Sequence, residues 1–350
     1  TSFKGFDVSN REYVQDAFEC KSCSNRCEIK RVRIEGEKPL FYGGRCEKYE
    51  MRHNPNVDKI PDLFGEREKF LMKEYYTQDD TLSSKGVVGI PRVMYFFEQL
   101  PFWVKFFKDL GYKVELSDAT NKNIINEGLE RVLAETCFPI KVSHGHIKNL
   151  MDKKVDYIFL PSVINLKNVY EGFQESIACP YGQSLPYMLT TALDLDKQDK
   201  VKILRPVVRF DKGTRGISNG LRALAVELGV HFKEITHAVK AAEHAQDEFY
   251  KSCRERGMDI LKNLKEEDNA VVIVSRPYNG CDAGQNLEIP RKLRHLNALP
   301  IPIDFLPLDE VPIDKDWPFM TWRYGQKILA AADIIREDKR LNALYLTNFG

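Results

Sequence analysis

Two short stretches carry the residue types best suited to chemistry. Glu135-Thr136-Cys137-Phe138-Pro139 is followed, 42 residues after Cys137, by Cys179-Pro180-Tyr181-Gly182-Gln183. Each sets one cysteine at a tight break stiffened by proline. Neither has a second cysteine close by, which excludes a zinc knuckle or a thioredoxin-type pair. A lone thiolate at such a break can be a nucleophile, or one ligand of a cluster assembled from distant segments. The competing reading is a small buried hydrophobe, which is how most free cysteines behave.

A second group lies near the start of the chain. Cys20-x2-Cys23-x3-Cys27 is followed by Cys46 across a predicted β-hairpin. Four thiolates on one hairpin match a closed tetrahedral site that holds together a module lacking its own core. The four sulfurs are expected to converge on one site. Zinc is the favoured occupant and an iron–sulfur cluster its main rival, because both accept four thiolates. With no open position, such a site is structural rather than catalytic.

Other signals are weaker. Cys253, between Ser252 and Arg254 in a polar helix, reads as incidental, whereas Cys281 follows the strand ending at Ser275 and is a candidate ligand. His144 and His146, two apart on a helix, face different sides and make a poor metal pair. The chain has no Gly-x4-Gly-Lys-Ser/Thr loop and no Gly-x-Gly-x-x-Gly after a strand. Neither P-loop ATP hydrolysis nor a standard dinucleotide site is expected.

Fifty-two basic and 51 acidic residues leave a net charge of +1. That balance gives no electrostatic footprint for nucleic acid or a membrane surface. The longest apolar runs are strand-sized, and no signal peptide opens the chain. Eight unevenly spaced cysteines in 350 residues point to metal or redox chemistry in a reducing compartment. The reading is a cytoplasmic protein able to form a homodimer. Thr1 is not a start methionine, and Asn348-Phe349-Gly350 directly follows an apolar run, so a segment of a longer protein is expected.

The elements that must position these residues follow from periodicity. The fold class is α/β: two open Rossmann-like lobes of parallel sheet, preceded by a cysteine-rich β-hairpin module. Residues 1–60 form the cysteine-rich module, where Ile29 to Ile34 and Leu40-Phe41-Tyr42 flank a turn at Glu35 to Lys38. Residues 61–85 are a charged helix and linker, with the charged stretch running from Asp62 to Asp80. The first lobe, 86–200, has strands at Val87 to Ile90, Tyr112 to Leu116 and Tyr157 to Val163. Its helices are Met94 to Leu110, Asn121 to Ala134 and Ile140 to Met151. Residues 201–268 connect the lobes through an apolar strand (Val201 to Phe210) and a helical stretch (His231 to Leu264). The second lobe, 269–350, alternates Ala270 to Ser275, Leu287 to Leu296, Ile301 to Leu306, Gly325 to Ile335 and Ala343 to Leu346. Both lobes read strand, then Pro91-Arg92 or Arg276-Pro277, then helix, which is a weak internal repeat. Sites in such folds lie outside the carboxyl ends of the strands.

Four stretches together resemble one family: Gly89-Ile90-Pro91-Arg92; Glu135 to Lys141 with His144-Gly145-His146; Asp156 to Pro161; and Cys179 to Gln183. They look like the 2-hydroxyacyl-CoA dehydratase component family and its relatives, the benzoyl-CoA reductases and double-cubane cluster proteins. Adding Arg276-Pro277-Tyr278-Asn279 and the Cys20 to Cys46 module, the combination resembles the region downstream of the ATPase domains in long fused acyl-CoA dehydratase activase proteins. The resemblance covers about residues 10 to 350. It implies an iron–sulfur cluster held between α/β lobes by cysteines from separate loops, with an activase ATPase as electron donor. Cys137 and Cys179 match two ligand positions. Glu135 and Pro139 would shape the first loop, and Pro180 and Gln183 the second. A further family cysteine follows a strand resembling Leu344 to Gly350, where this chain stops.

Three functions stay open on this reading. The first is an iron–sulfur redox component that receives an ATP-gated electron and acts on an activated, acyl-CoA-like substrate. The second is a non-catalytic zinc-binding α/β scaffold that docks the ATPase. A cluster-free α/β protein that binds a small molecule is the third.

Overall fold

The computed structural model describes residues 11–23, 25–50, 57–77, 85–170, 172–197 and 201–348. Parts of the predicted head (1–10, 24, 51–56), residues 78–84 of the charged linker, residues 171 and 198–200, and Phe349-Gly350 lie outside these. Among the described residues no helix is long and apolar enough to cross a membrane.

The head is an antiparallel meander of β1 (Tyr13–Glu19), β2 (Glu28–Ile34) and β3 (Leu40–Tyr42). The β2–β3 hairpin turns at Gly36, whose φ of +77° suits a residue without a side chain. The sequence reading did not include β1, because its residues are almost all exposed and lack an apolar rhythm. It is held by Arg31, which grips Asp16 through two hydrogen bonds of 2.8 and 2.7 Å. Phe18, Phe41 and Tyr49 pack edge to face and tilted, with centroids 5.3–6.4 Å apart, as a miniature core.

Helix α1 (Leu63–Tyr76) starts at Asp62, whose side chain accepts from the Gly65 N–H. The first lobe then alternates β4 (Val87–Ile90), α2 (Phe96–Asp109), β5 (Lys113–Leu116), α3 (Lys122–Arg131), α4 (Phe138–Asp152), β6 (Tyr157–Phe159), β7 (Ser162–Asn165), α5 (Pro180–Ala192), β8 (Lys202–Leu204) and β9 (Val207–Arg209). Its main sheet is parallel, in the order β5-β4-β6-β8. The wide aromatic face read on α2 covers this sheet: Trp103 and Phe107 lie 4.5 and 4.9 Å from Phe159.

Two strands expected to be continuous are each divided by a proline. Tyr157 to Val163 breaks at Pro161, and Val201 to Phe210 breaks at Pro206, both of which lack the N–H a ladder requires. The pairing carries on across the breaks, with Leu160 N–H to Leu204 O and Ser162 N–H to Pro206 O, each 2.8 Å. Beyond them β7 and β9 pair in parallel. The segment after residue 200 therefore extends the first sheet.

Short helices α6 (Gly213–Gly220) and α7 (Arg222–Glu227) lead to α8 (Phe232–Asn263), the 32-residue helix expected from the charged stretch. The second lobe has β10 (Ala270–Ser275), α9 (Pro277–Gly280), α10 (Ile289–His295), β11 (Leu299–Pro302), α11 (Arg323–Glu337) and β12 (Leu341–Leu346). Its parallel order is β11-β10-β12. Strand β11 ends at Pro302 and passes into a 3₁₀ turn, short of the expected Leu306. Both lobes thus place their first strand in the centre, the second on one side and the third on the other. In each, the first strand leads through a Pro and an Arg to a helix, so the sequence repeat has a structural counterpart.

One apolar core runs through both lobes and α8. At its centre are four buried charges. Lys327 of α11 pairs with Glu98 of α2 and lies 3.3 Å from Asp304. Arg67 of α1 pairs with Asp304 and donates to the Phe97 carbonyl at 2.9 Å. Glu98 also accepts from Tyr324 at 2.8 Å and Tyr250 at 3.1 Å. Although burial favours a neutral Asp304, the neighbouring Lys327 and Arg67 hold its carboxyl well below the usual range. Two cations and two anions cancel, and that balance makes their burial tolerable.

Removing one partner should be severe. Lys327→Met leaves Glu98 and Asp304 facing Arg67 alone, and is expected to cost about 3–5 kcal/mol in urea unfolding. An unchanged midpoint and slope would show that these charges do not hold the lobes together.

Candidate functional site

Cys137 and Cys179 occupy equivalent places on neighbouring helices. Cys137 is the N-cap of α4 and Cys179 the N-cap of α5, both in extended backbone. Each carbonyl accepts the first helical bond: Lys141 N–H to Cys137 at 3.2 Å, and Gln183 N–H to Cys179 at 2.9 Å. Pro139 and Pro180 fill the first helical turns, where a missing N–H costs nothing. Their carbonyls accept from Ser143 at 2.7 Å and Ser184 at 3.0 Å. Both thiols therefore stand at the positive end of a helix.

The supporting residues shape these loops. Glu135 reaches across the break to pair with Lys141. Gln183 turns its side-chain amide back to the Ala178 carbonyl at 2.8 Å, and its own carbonyl accepts from Ser162 at 2.7 Å. Gly182 allows Tyr95 to lie against α5, because a Cβ there would overlap the Tyr95 hydroxyl. Tyr95 stacks on Tyr324 at 6.5 Å, and Tyr278 meets Tyr324 edge-on at 6.1 Å. The aromatic wall of the cleft thus rests on the Glu98 charge cluster through the Tyr324 hydroxyl.

The second lobe faces these thiols with Arg276, the N-cap of α9, which bonds the Tyr278 hydroxyl at 3.0 Å. Burial pushes the Cys137 thiol up. The Ile140 N–H works against that shift, Cys179 adds to it, and Arg276 opposes it. Burial also raises the Tyr278 hydroxyl well above the ordinary phenol range, so it stays a neutral phenol that accepts from Arg276. The end of β12 reaches the same place, with Asn348 bonded to Asn279 of α9. The cleft accordingly gathers two thiols, one guanidinium and buried tyrosines at the carboxyl ends of the strands, where sites of open α/β sheets form. Two soft donors beside a cation suit a thiolate-ligated, net-negative group, for which they offer two ligand positions.

A buried hydrogen-bond chain also joins the lobes. Ser117 accepts from the Arg92 N–H at 2.8 Å and lies 2.8 Å from His146 Nδ1. His146 Nε2 lies 3.0 Å from Thr120 Oγ1, which donates to Asp282 at 2.6 Å. Since the single Thr120 proton goes to Asp282, Thr120 must accept from Nε2–H, and Nδ1 must accept from Ser117. His146 is therefore the neutral Nε2–H tautomer; burial and the Arg92 charge push it down to about 3. Gly284 is required here, since a Cβ would overlap the Thr120 carbonyl across the lobe boundary. His144 instead faces the Ile140 carbonyl at 2.9 Å. Thr120, Asp282 and Tyr95 were not singled out from sequence, since a polar residue after a strand gives no sign of the partner it will meet.

In the head, Cys20 N–H bonds the Cys27 carbonyl at 2.8 Å, closing the β1–β2 hairpin. Hydrogen bonds from Ser22 and Tyr49 hold the Cys20 thiol below its ordinary value. All eight cysteines are free. Among the described residues no group of three or more His, Cys, Asp or Glu side chains is arranged around a single ion. Cys253 is buried in α8 and pushed by burial to about 12, as an inert core thiol would be.

Residues 87–306, from β4 to just past β11, match the family model described as the CoA enzyme activase uncharacterised domain. The chain belongs to this family. No curated protein and no solved structure gives a significant match. Within this activase-domain family member, the matched region contains Cys137, Cys179, Arg276 and Cys281, while the head precedes it.

Two measurements test this geometry. Gly182→Ala should destabilise the protein by about 1–3 kcal/mol through overpacking, and Tyr95→Phe should relieve part of that loss. Additive effects in the double variant would mean that the two do not touch. Above pH 6.5, His146 is neutral in both folded and unfolded chains. Between 6.5 and about 3 only the unfolded chain takes a proton, so stability falls with pH by up to about 1.4 kcal/mol per unit. His146→Gln should remove that component, and its stability gap to the parent should narrow from pH 7.5 to 5. Parallel curves would rule out the neutral buried imidazole.

Proposed function

We propose that this activase-domain protein is a redox component in which Cys137 and Cys179 supply two ligands to an iron–sulfur cluster between the lobes. The observation that carries this reading is the pairing of two thiols at the N-caps of adjacent helices, opposite Arg276. A cluster held there by Cys137 and Cys179 would supply one-electron chemistry, with an ATPase domain or subunit as the electron donor, for reductive or dehydration chemistry on an acyl-CoA-like substrate. Arg276 offsets negative charge at the thiolates. Tyr278 and Tyr95 exclude water from the cleft floor and keep their protons. Pro139, Pro180 and Gln183 fix both loops, so the thiols are positioned before anything binds. On this reading the head cysteines hold zinc or a second cluster.

Anaerobic reconstitution with ferrous iron and sulfide tests the assignment. Visible iron–sulfur absorption is expected, and Cys137→Ala or Cys179→Ala should each remove about one cluster's worth of iron and sulfide. If neither variant loses iron, the cleft holds no cluster, and the zinc-binding scaffold that docks the ATPase becomes the better account.

A further inference from the structure

Arg323 is a buried cation without a counter-charge. It opens α11, where its N–H donates to the Ile177 carbonyl at 3.0 Å, and only 8% of it is exposed. Its Nη1 is buried without a hydrogen-bond partner, and among the described residues no carboxylate pairs with the side chain. The charge falls instead on neutral Tyr170, whose ring centroid is 5.8 Å away and whose hydroxyl donates to the Leu308 carbonyl at 2.5 Å. A guanidinium buried in this way is costly unless an anion reaches it. Arg323 lines a cavity of about 400 Å³ between the β7–α5 connection, α8 and the start of α11. That volume is in the usual range of small-molecule sites.

We propose that this cavity binds a small monocarboxylate with an apolar body, its carboxylate seated on Arg323. The walls are apolar at Leu166, Val169, Leu306 and Leu308. They also carry four carboxylates, and each already has its cation. On the floor, Glu98 and Asp304 are held by the buried Lys327. At the exposed rim, Asp247 pairs with Lys167 at 2.7 Å and Asp309 with Arg254 at 2.5 Å. Lys251, the remaining cation of the wall, is largely exposed and lies 4.0 Å from Glu248. What is left over in the buried part is the one charge of Arg323 beside apolar walls. A planar carboxylate matches the guanidinium fork, and one negative charge balances one positive. A phosphate dianion fits less well, because its second charge would face the wall carboxylates with no buried cation free to meet it. The site is independent of the Cys137–Cys179 reading.

Titration calorimetry of the protein with hexanoate, acetate, hexanol and inorganic phosphate tests this. Hexanoate should bind saturably at one site per chain, with a Kd of about 1 mM or tighter. It should bind more tightly than acetate, which lacks the apolar body, than hexanol, which lacks the charge, and than phosphate. Arg323→Met removes the unpaired charge and should fold, yet weaken hexanoate binding about tenfold or more. No hexanoate binding, equal binding of acetate, hexanol or phosphate, or unchanged affinity in Arg323→Met overturns the proposal. If Arg323→Met fails to fold by circular dichroism, Lys251→Glu, an exposed change on the same wall, decides. Hexanoate binding weakened about threefold supports the carboxylate site, and unchanged binding overturns it.

Discussion

The four buried charges beneath the cleft are the constraint on which the rest depends. Arg67, Glu98, Asp304 and Lys327 come from α1, α2, the turn after β11 and α11, so each ion pair crosses an element boundary. Hydrophobic contacts along the same seams would tolerate sliding, because apolar burial has no direction. Buried ion pairs do not, since a partner that moves away leaves a charge unpaired in a medium that solvates it poorly. The relative placement of the lobes is thus set by electrostatics inside an otherwise apolar core. Tyr250 and Tyr324 complete the lone-pair requirements of Glu98 and pass that order outward to Tyr95 and Tyr278.

From this base the cleft follows from topology. Parallel strands deliver their loops to one edge, and in both lobes the central strand runs into a proline-opened turn. Prolines at the first helical turn stop the chain abruptly and start the helix without wasting a donor. The residue just before is left extended, with its side chain at the positive helix end. Cys137, Cys179 and Arg276 are these residues. Their convergence is a property of where α4, α5 and α9 begin. The match to the activase-domain family runs from the first lobe into the second, ending just past β11.

The sequence made some of this legible. Continuous apolar runs such as Val87-Val88-Gly89-Ile90 and Ala270 to Ile273 identified central parallel strands, and the aromatic face of α2 identified its packing side. Cys137 and Cys179 stood out because a nearby proline marks a break in any helix pattern. Strand β1 did not, since its order comes from an Arg31–Asp16 pair and three aromatic rings rather than from alternation. Pro161 and Pro206 were visible, but only the three-dimensional ladder shows that both interrupt it at the same level. Glu98 and Lys327 looked like ordinary polar positions on amphipathic helices. Charge pairs between segments more than 200 residues apart have no local signature, and the same holds for Thr120 and Asp282.

The Thr120–Asp282 bond and the close approach of Gly284 to the Thr120 backbone have a mechanical meaning. They pin the lobes together at a second place, apart from the Glu98 cluster. Parting the lobes would mean breaking both sets of contacts and stranding buried polar groups at each. The two halves are riveted rather than hinged.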